Sequence, residues 1–304
     1  MQSLRVIGVD VGGTKTLFAL VAPDGTIESR VRRPTVTSSQ EALLAELDGG
    51  VEELRSAHPE VAAIGFGIPS RIDQRHGRAI ASVNIPLADV DFRDRMRELH
   101  GLPVAIDNDG NAAAIAEWKI GAARGKSHVV MLTLGTGVGG GLILDGRPYR
   151  GATGSGAELG HIVIQVDGPE CACGGRGHLE AIASGRAAGR VAQELYGANA
   201  TGEDLVRRAE DGEPKAVEAM AQIGRGLGAA IATFVNMFEP EMVVIGGGFG
   251  VSNDLLREPA GEVILRDGLP PGRDTLEIVE AELGRDAGVI GAAMIALEAL
   301  DSGS

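Results

Sequence analysis

Val9-Asp10-Val11-Gly12-Gly13-Thr14-Lys15-Thr16 near the start of the chain and Leu132-Thr133-Leu134-Gly135-Thr136-Gly137-Val138-Gly139 near its middle share one plan. An apolar run, Leu4 to Asp10 or Val129 to Leu134, ends in a glycine-bearing tip, and a second run returns over Thr16 to Ala22 or Val138 to Leu144. Apolar, β-branched residues on either side of glycine read as strand, tip and strand. After the first copy Pro23-Asp24-Gly25 turns the chain into a third strand over 26–31, and after the second Asp145-Gly146 marks the next hairpin. The plan occurs once near the start of each half of a 304-residue chain, longer than one typical domain, so two related lobes are predicted.

The rest of the pattern is mixed α/β. Leu43, Leu44, Leu47, Val51 and Leu54 have helical spacing behind a cap at Ser38 or Ser39. Strands are expected over 61–67, 103–106 and 242–245, and helices over 112–120, 179–195, 201–211, 214–237 and 287–300. The expected division is a small lobe over 1–112, with the closing segment 287–304 packing back on it, and a large lobe over 113–286. The arginines at 30, 32 and 33 and at 93, 95 and 97 read as solvated faces.

Composition narrows the function classes. With 44% hydrophobic and 23% charged residues the chain is globular, and its net charge of −14 argues against a nucleic-acid partner. No apolar run approaches a membrane span and the N-terminus enters a strand directly, so a soluble cytoplasmic protein without a membrane partner is expected. The 46 glycines cluster after strands, where backbone can approach a phosphate. Asp10, Gly12, Gly13, Thr14 and Lys15 suit a Mg²⁺–nucleotide triphosphate: amides and a hydroxyl for oxygens, a carboxylate for the hydrated Mg²⁺. Neither a Walker loop nor a dinucleotide fingerprint is present. Gly135, Thr136 and Gly137 repeat the arrangement. Gly246, Gly247 and Gly248 fit either a nucleoside bed or a close crossing of helix and strand. Asp107-Asn108-Asp109 offers a carboxylate as general base for a hydroxyl, and equally reads as a turn and helix cap.

Both cysteines of the chain and two of its six histidines fall in one segment, Glu158-Leu-Gly-His161 followed by Cys171-Ala-Cys173-Gly-Gly-Arg-Gly-His178-Leu-Glu180. His161, Cys171, Cys173 and His178 make a donor set for tetrahedral Zn²⁺, while Cys-x-Cys is poor geometry for a disulfide. A structural zinc would hold the flanking carboxylates Glu158 and Glu180 in fixed positions, as a polyol pocket requires. The other reading is a glycine-rich surface loop.

Together these motifs resemble the ROK family of repressors and sugar kinases, most specifically at 156–161, 171–180 and 183–185. The resemblance covers essentially the whole chain. It implies the two-lobed actin-like ATPase (ribonuclease H-like) fold, with mixed sheets flanked by helices and a cleft between lobes. It further implies an ATP:hexose 6-phosphotransferase acting on D-glucose, with other hexoses or N-acetylhexosamines and a non-catalytic sugar-binding regulator as alternatives, and a homodimer. Carried over by motif, Asp109 would be the base, and Asn84, Asn108, Glu158, His161 and Glu180 would hold sugar hydroxyls. His178 stands where the family usually has a cysteine, and Ser70-Arg71 where it more often has glycine after proline. A chain that opens on its first strand, without a preceding helix-turn-helix, is expected to be a kinase and not a repressor.

Overall fold

In a computed structural model, residues 4–249 and 254–301 are described. The chain opens with the antiparallel meander β1 (Val6–Val11), β2 (Lys15–Val21) and β3 (Ile27–Pro34), passes through α1 (Gln40–Ala57) and returns as β4 (Ala63–Ile68), parallel to β1. An antiparallel insert of β5 (Arg71–Asp73), β6 (Arg78–Ala81) and β7 (Ala88–Val90), then α2 (Phe92–His100), precedes β8 (Val104–Asn108). Helix α3 (Asp109–Lys119) leads into the second half, where β9 (Val129–Leu134), β10 (Val138–Leu144) and β11 (Arg147–Pro148) repeat the meander. Helices α4 (Leu179–Ile182), α5 (Gly185–Tyr196), α6 (Gly202–Glu210) and α7 (Pro214–Phe238) precede β12 (Met242–Gly246). The chain ends through α8 (Asp254–Asp267), α9 (Gly272–Thr275), β13 (Glu277–Glu280) and α10 (Ala287–Asp301).

The two five-stranded sheets have the orders β3-β2-β1-β4-β8 and β11-β10-β9-β12-β13. In each, the first strand of its half is central, with its hairpin partners on one side and parallel strands on the other. The duplication visible at the glycine tips therefore extends to both whole sheets. β1, β4 and β12 are buried almost throughout, which is why they read as apolar runs and not as alternation.

Three apolar clusters hold the layers. One lies between the second sheet and its helices, around Leu132, Leu227 and Phe234. Another packs α1 and α2 on the first sheet, around Phe18, Leu43, Phe66 and Phe92. The third joins the halves, since it contains Val6 and Ala19, Met131 and Val244, Ile115 of α3, and Val289 and Met294 of α10. Helix α10 lies directly on β4 and α3: a Cβ on Gly65 would stand 1.8 Å from the carbonyl oxygen of Ala292, and one on Gly291 would stand 1.8 Å from that of Ala112.

Several boundaries differ from the sequence reading. Helix α3 begins at Asp109 and not at Ala112, because the Asn108 side chain caps it, accepting from Gly110 N and Asn111 N. The helix expected over 179–195 is two helices, broken where Ser184 caps α5 by accepting from Ala187 N. The insert β5–β7, α2, α8 and β13 are short or weakly patterned and carry no clear signal in the sequence. Among the described residues no helix is long and apolar enough to cross a membrane.

Gly65→Ala is expected to lower stability by about 3 kcal/mol, the upper end for overpacking, because a backbone oxygen cannot swing away. Chemical unfolding measures this, and a loss below about 0.5 kcal/mol would mean that α10 does not lie on β4.

Candidate functional site

Parallel strands β1, β4 and β8 end at one level, with Asp10 opposite Gly67 and Gly67 opposite Asp107. Clefts outside the carboxyl ends of parallel strands are where α/β folds gather their ligands. Beyond Asp10 the first glycine tip is pinned by Gly12 N–H to Lys15 O (3.0 Å), the Thr35 hydroxyl to Gly12 O (2.7 Å) and Thr35 N–H to Thr14 O (3.1 Å). Gly13, Thr14 and Lys15 remain exposed, and Asn84 lies against Gly13. The second tip is tied to the first turn of α5 through Gly185 N–H to Gly135 O (2.8 Å) and Arg186 N–H to Thr136 O (3.2 Å). Gly246–Gly248 stands beside it: Gly247, at φ 84°, passes so near the end of β9 that a Cβ would meet Leu134 O at 2.3 Å. The close approach there is between the turn after β12 and the end of strand β9, not the crossing of helix and strand that the sequence suggested.

A row of carboxylates connects the tips. Asp109 is the first residue of α3 and accepts from Gly110 N–H at 3.0 Å. Burial pushes its pKa up to about 6, against the Gly110 hydrogen bond and with help from the Glu158 charge. Asp10 packs on α10 where a Cβ on Gly288 would stand 2.7 Å from its carboxylate, and burial together with the Asp109 charge raises it to about 7. Glu158 opens onto the cleft, yet desolvation still raises it; His161 and Arg71 pull it down and Glu180 pushes it up. Each group feels the charge of the next, so Asp10, Asp109, Glu158 and Glu180 lie within electrostatic reach of one another in sequence along the row. Asn108 is more committed than its sequence position suggests: its oxygen caps α3 and its amide donates to Ser70 O at 3.4 Å, leaving one hydrogen free.

Glu180 links two features that the sequence treats separately. One oxygen accepts from Val138 N–H at 3.0 Å, immediately after the second glycine tip, and Gly137 leaves room for it, since a Cβ there would be 2.2 Å away. The other accepts from the Cys171 thiol at 3.6 Å. Donor atoms of His161, Cys171, Cys173 and His178 lie within 4.8 Å of one another. Three separations are 3.8 Å for Cys171 Sγ to His161 Nδ1, 3.2 Å for Cys173 Sγ to His178 Nδ1, and 3.4 Å for the two Nδ1 atoms. Zinc bonds of ordinary length set tetrahedral edges of roughly 3.3–3.8 Å, so the four side chains fit the ion. The buried Asp107 carboxylate pairs with the half-buried Arg150 beside Asn108. Sequence reasoning missed it because nothing in the chain marks a contact between residues 43 apart.

A duplicated mixed sheet, two glycine tips and a cleft of desolvated carboxylates define the actin-like ATPase class of sugar-kinase folds. The chain belongs to the ROK family, whose pattern matches residues 6–299. It is 36% identical to a glucokinase of Thermotoga maritima, over 98% of this chain and 99% of that one. Its fold is similar to that of a ROK hexokinase from Thermus thermophilus (TM-score 0.88, 35% identity, 98% and 100% of the two chains). A ROK glucokinase from Streptomyces griseus, solved with glucose and AMPPNP, matches at TM-score 0.83 and 32% identity over 97% and 99%.

Asp10 and Asp109 both bind a proton more tightly folded than unfolded, where the ordinary value is 3.8. Their contribution to stability is therefore fully present below about pH 4 and is lost as pH rises through about 6 and 7. Asp10→Asn is expected to raise the melting temperature of the ligand-free protein by several degrees at pH 8, the gain fading to nothing near pH 4. Thermal denaturation across pH reads this out, and a gain that stayed constant would show that burial of the charge is not its cause.

Proposed function

We propose that this chain transfers the γ-phosphoryl group of MgATP to the 6-hydroxyl of D-glucose. The observation that carries the reading is Asp109: a desolvated carboxyl at a helix start, coupled to Asp10 on one side and Glu158 on the other. The glucokinase relatives, one of them holding glucose and AMPPNP, support the same reaction and substrate.

In this reading Asp109 accepts the proton of the 6-hydroxyl as that oxygen bonds to the γ-phosphorus and the bond to the bridging β,γ-oxygen breaks, releasing ADP. A pKa of about 6 leaves the carboxylate largely ionised at neutral pH and more basic than an ordinary aspartate. Asp10 would hold a hydrated Mg²⁺, which would offset charge on the phosphoryl oxygens. The amides and hydroxyls at Gly12, Gly13, Thr14 and Lys15, and at Gly135, Thr136 and Gly137, bracket the phosphates, where positioning and charge compensation do most of the work. Gly246, Gly247 and Gly248 flank the nucleoside. Asn84, Asn108, Glu158, His161 and Glu180 hold sugar hydroxyls between lobes over 1–112 with the closing helix and over 113–286, whose closure excludes water as a competing acceptor.

His161, Cys171, Cys173 and His178 would hold a structural zinc, whose contribution is rigidity. The Nδ1 of His161 faces the other donors, leaving Nε2 for the sugar. Glu180 follows His178 by two residues and accepts from Val138 N–H, so a loop stiffened by zinc would also fix the second phosphate tip; the bond from the Cys171 thiol would be given up when that sulfur becomes a zinc-bound thiolate.

With MgATP and a panel of hexoses and N-acetylhexosamines, ADP release is expected to be fastest with glucose; a preference for an N-acetylated sugar would change the substrate and leave the mechanism. Asp109→Asn is expected to lower kcat by about 10³-fold with glucose affinity nearly unchanged, the pattern for a group used in the transition state. In the wild type kcat/KM should fall as pH drops through about 6, where Asp109 takes up its proton. A near-normal kcat in the variant removes Asp109 from this role. Elemental analysis is expected to find about one zinc per chain, lost in Cys171→Ser together with sugar affinity; a zinc-free wild type would refute the loop account.

A further inference from the structure

We infer that Asp107 and Arg150 are positioning residues that hold the two walls of the sugar pocket in register across the two halves of the chain. Asp107 is 1% exposed, at the end of β8. Its Oδ2 accepts from Arg150 Nε at 2.6 Å, and its Oδ1 accepts from Asn111 Nδ2 at 3.0 Å and from the Asn108 amide at 2.8 Å. A carboxylate this deep is tolerated only with a charge partner and filled hydrogen-bond positions, and it has both.

Each end of the pair leads to one wall. On the Asp107 side the bonds to Asn108 and Asn111 fix the turn that caps α3, which sets the direction of Asp109. On the Arg150 side, the carbonyl of Arg150 accepts from Gly156 N–H at 2.9 Å, closing the loop 150–156. From there Ala157, held at φ 63°, carries the chain into Glu158. That loop belongs to the second half but is fastened to the first: Gln74 N–H donates to Thr153 O (3.0 Å) and the Ser155 hydroxyl to Ile72 O (3.2 Å). Gln74 in turn donates from its side chain to Ile106 O in β8 at 3.0 Å. Arg150 to Asp107 is the charged bond of this joint, and it connects the residue before Asn108 with the loop before Glu158. Both residues act through Asp109 and Glu158.

The inference rests on the kinase reading, and glucose binding measured by calorimetry tests it without requiring turnover. Arg150→Met leaves Asp107 uncompensated and is expected to lower both melting temperature and glucose affinity, the latter by about ten- to a hundredfold. MgATP affinity should stay within about twofold, because neither side of the joint carries a phosphate tip. Adding Asp107→Asn removes the stranded charge, so the double variant should recover stability while its glucose affinity stays low. Recovery of both would mean that the pair serves folding only, and would overturn the inference, as would wild-type glucose affinity in Arg150→Met. Should the single variant fail to fold, the affinity of the double variant decides alone. A wild type that turns over glucose normally beside an insensitive variant overturns only this inference; a wild type that binds no glucose overturns it together with the choice of glucose as substrate.

Discussion

The contact on which the rest depends is the seating of α10 against β4 and α3. Gly65 and Gly291, with Gly8 on β1, remove side chains that would otherwise hold the helix off, and backbone meets backbone. That closeness lets α3 and α10 share one apolar cluster with strands of both sheets. It also fixes the start of α3, where Asp109 stands, and brings Gly288 under the carboxylate of Asp10. The positions of Asp10 and Asp109 are thus set by the packing of α10 beneath the strand ends.

The cleft itself is held in an electrostatically unfavourable state. Asp10, Asp109 and Glu158 are desolvated and repel one another, and each holds its proton more tightly than a free carboxyl would. In the proposed kinase reading, a divalent cation bound with phosphates would relieve this repulsion on the Asp10 side, and Asp109 would take up the proton of a sugar hydroxyl. Free energy lost to stability without ligands would then be recovered when they bind, as expected where function and stability compete.

Much of this was legible in the sequence because it is local. The strands at 129–134 and 138–144 appear with the bounds the sequence gives them, since their apolar runs are flanked by glycine. The Cys-x-Cys segment with its two histidines is a contiguous motif, and its donors do converge. What could not be read is what depends on distant pairing. The helix-cap reading of 107–109 holds at Asn108, whose oxygen caps α3, but its amide bond to Ser70 O, 38 residues away, has no mark in the sequence. Glu180 looks like a pocket carboxylate, yet one of its oxygens is engaged by Val138 N–H, 42 residues away. The insert β5–β7 has strands of only three or four residues, too short to show a period, although it carries Arg71 and the contacts that receive the loop 150–156.

The most direct measurement is the phosphorylation site of the product formed from glucose and MgATP, read by phosphorus–proton correlation in NMR. Coupling of the new phosphorus to the two protons on carbon 6 is the result expected if the Asp109 carboxylate faces the 6-hydroxyl. Coupling to the anomeric proton, or release of inorganic phosphate with the sugar unchanged, would contradict the central claim that this cleft directs the γ-phosphoryl group to that oxygen.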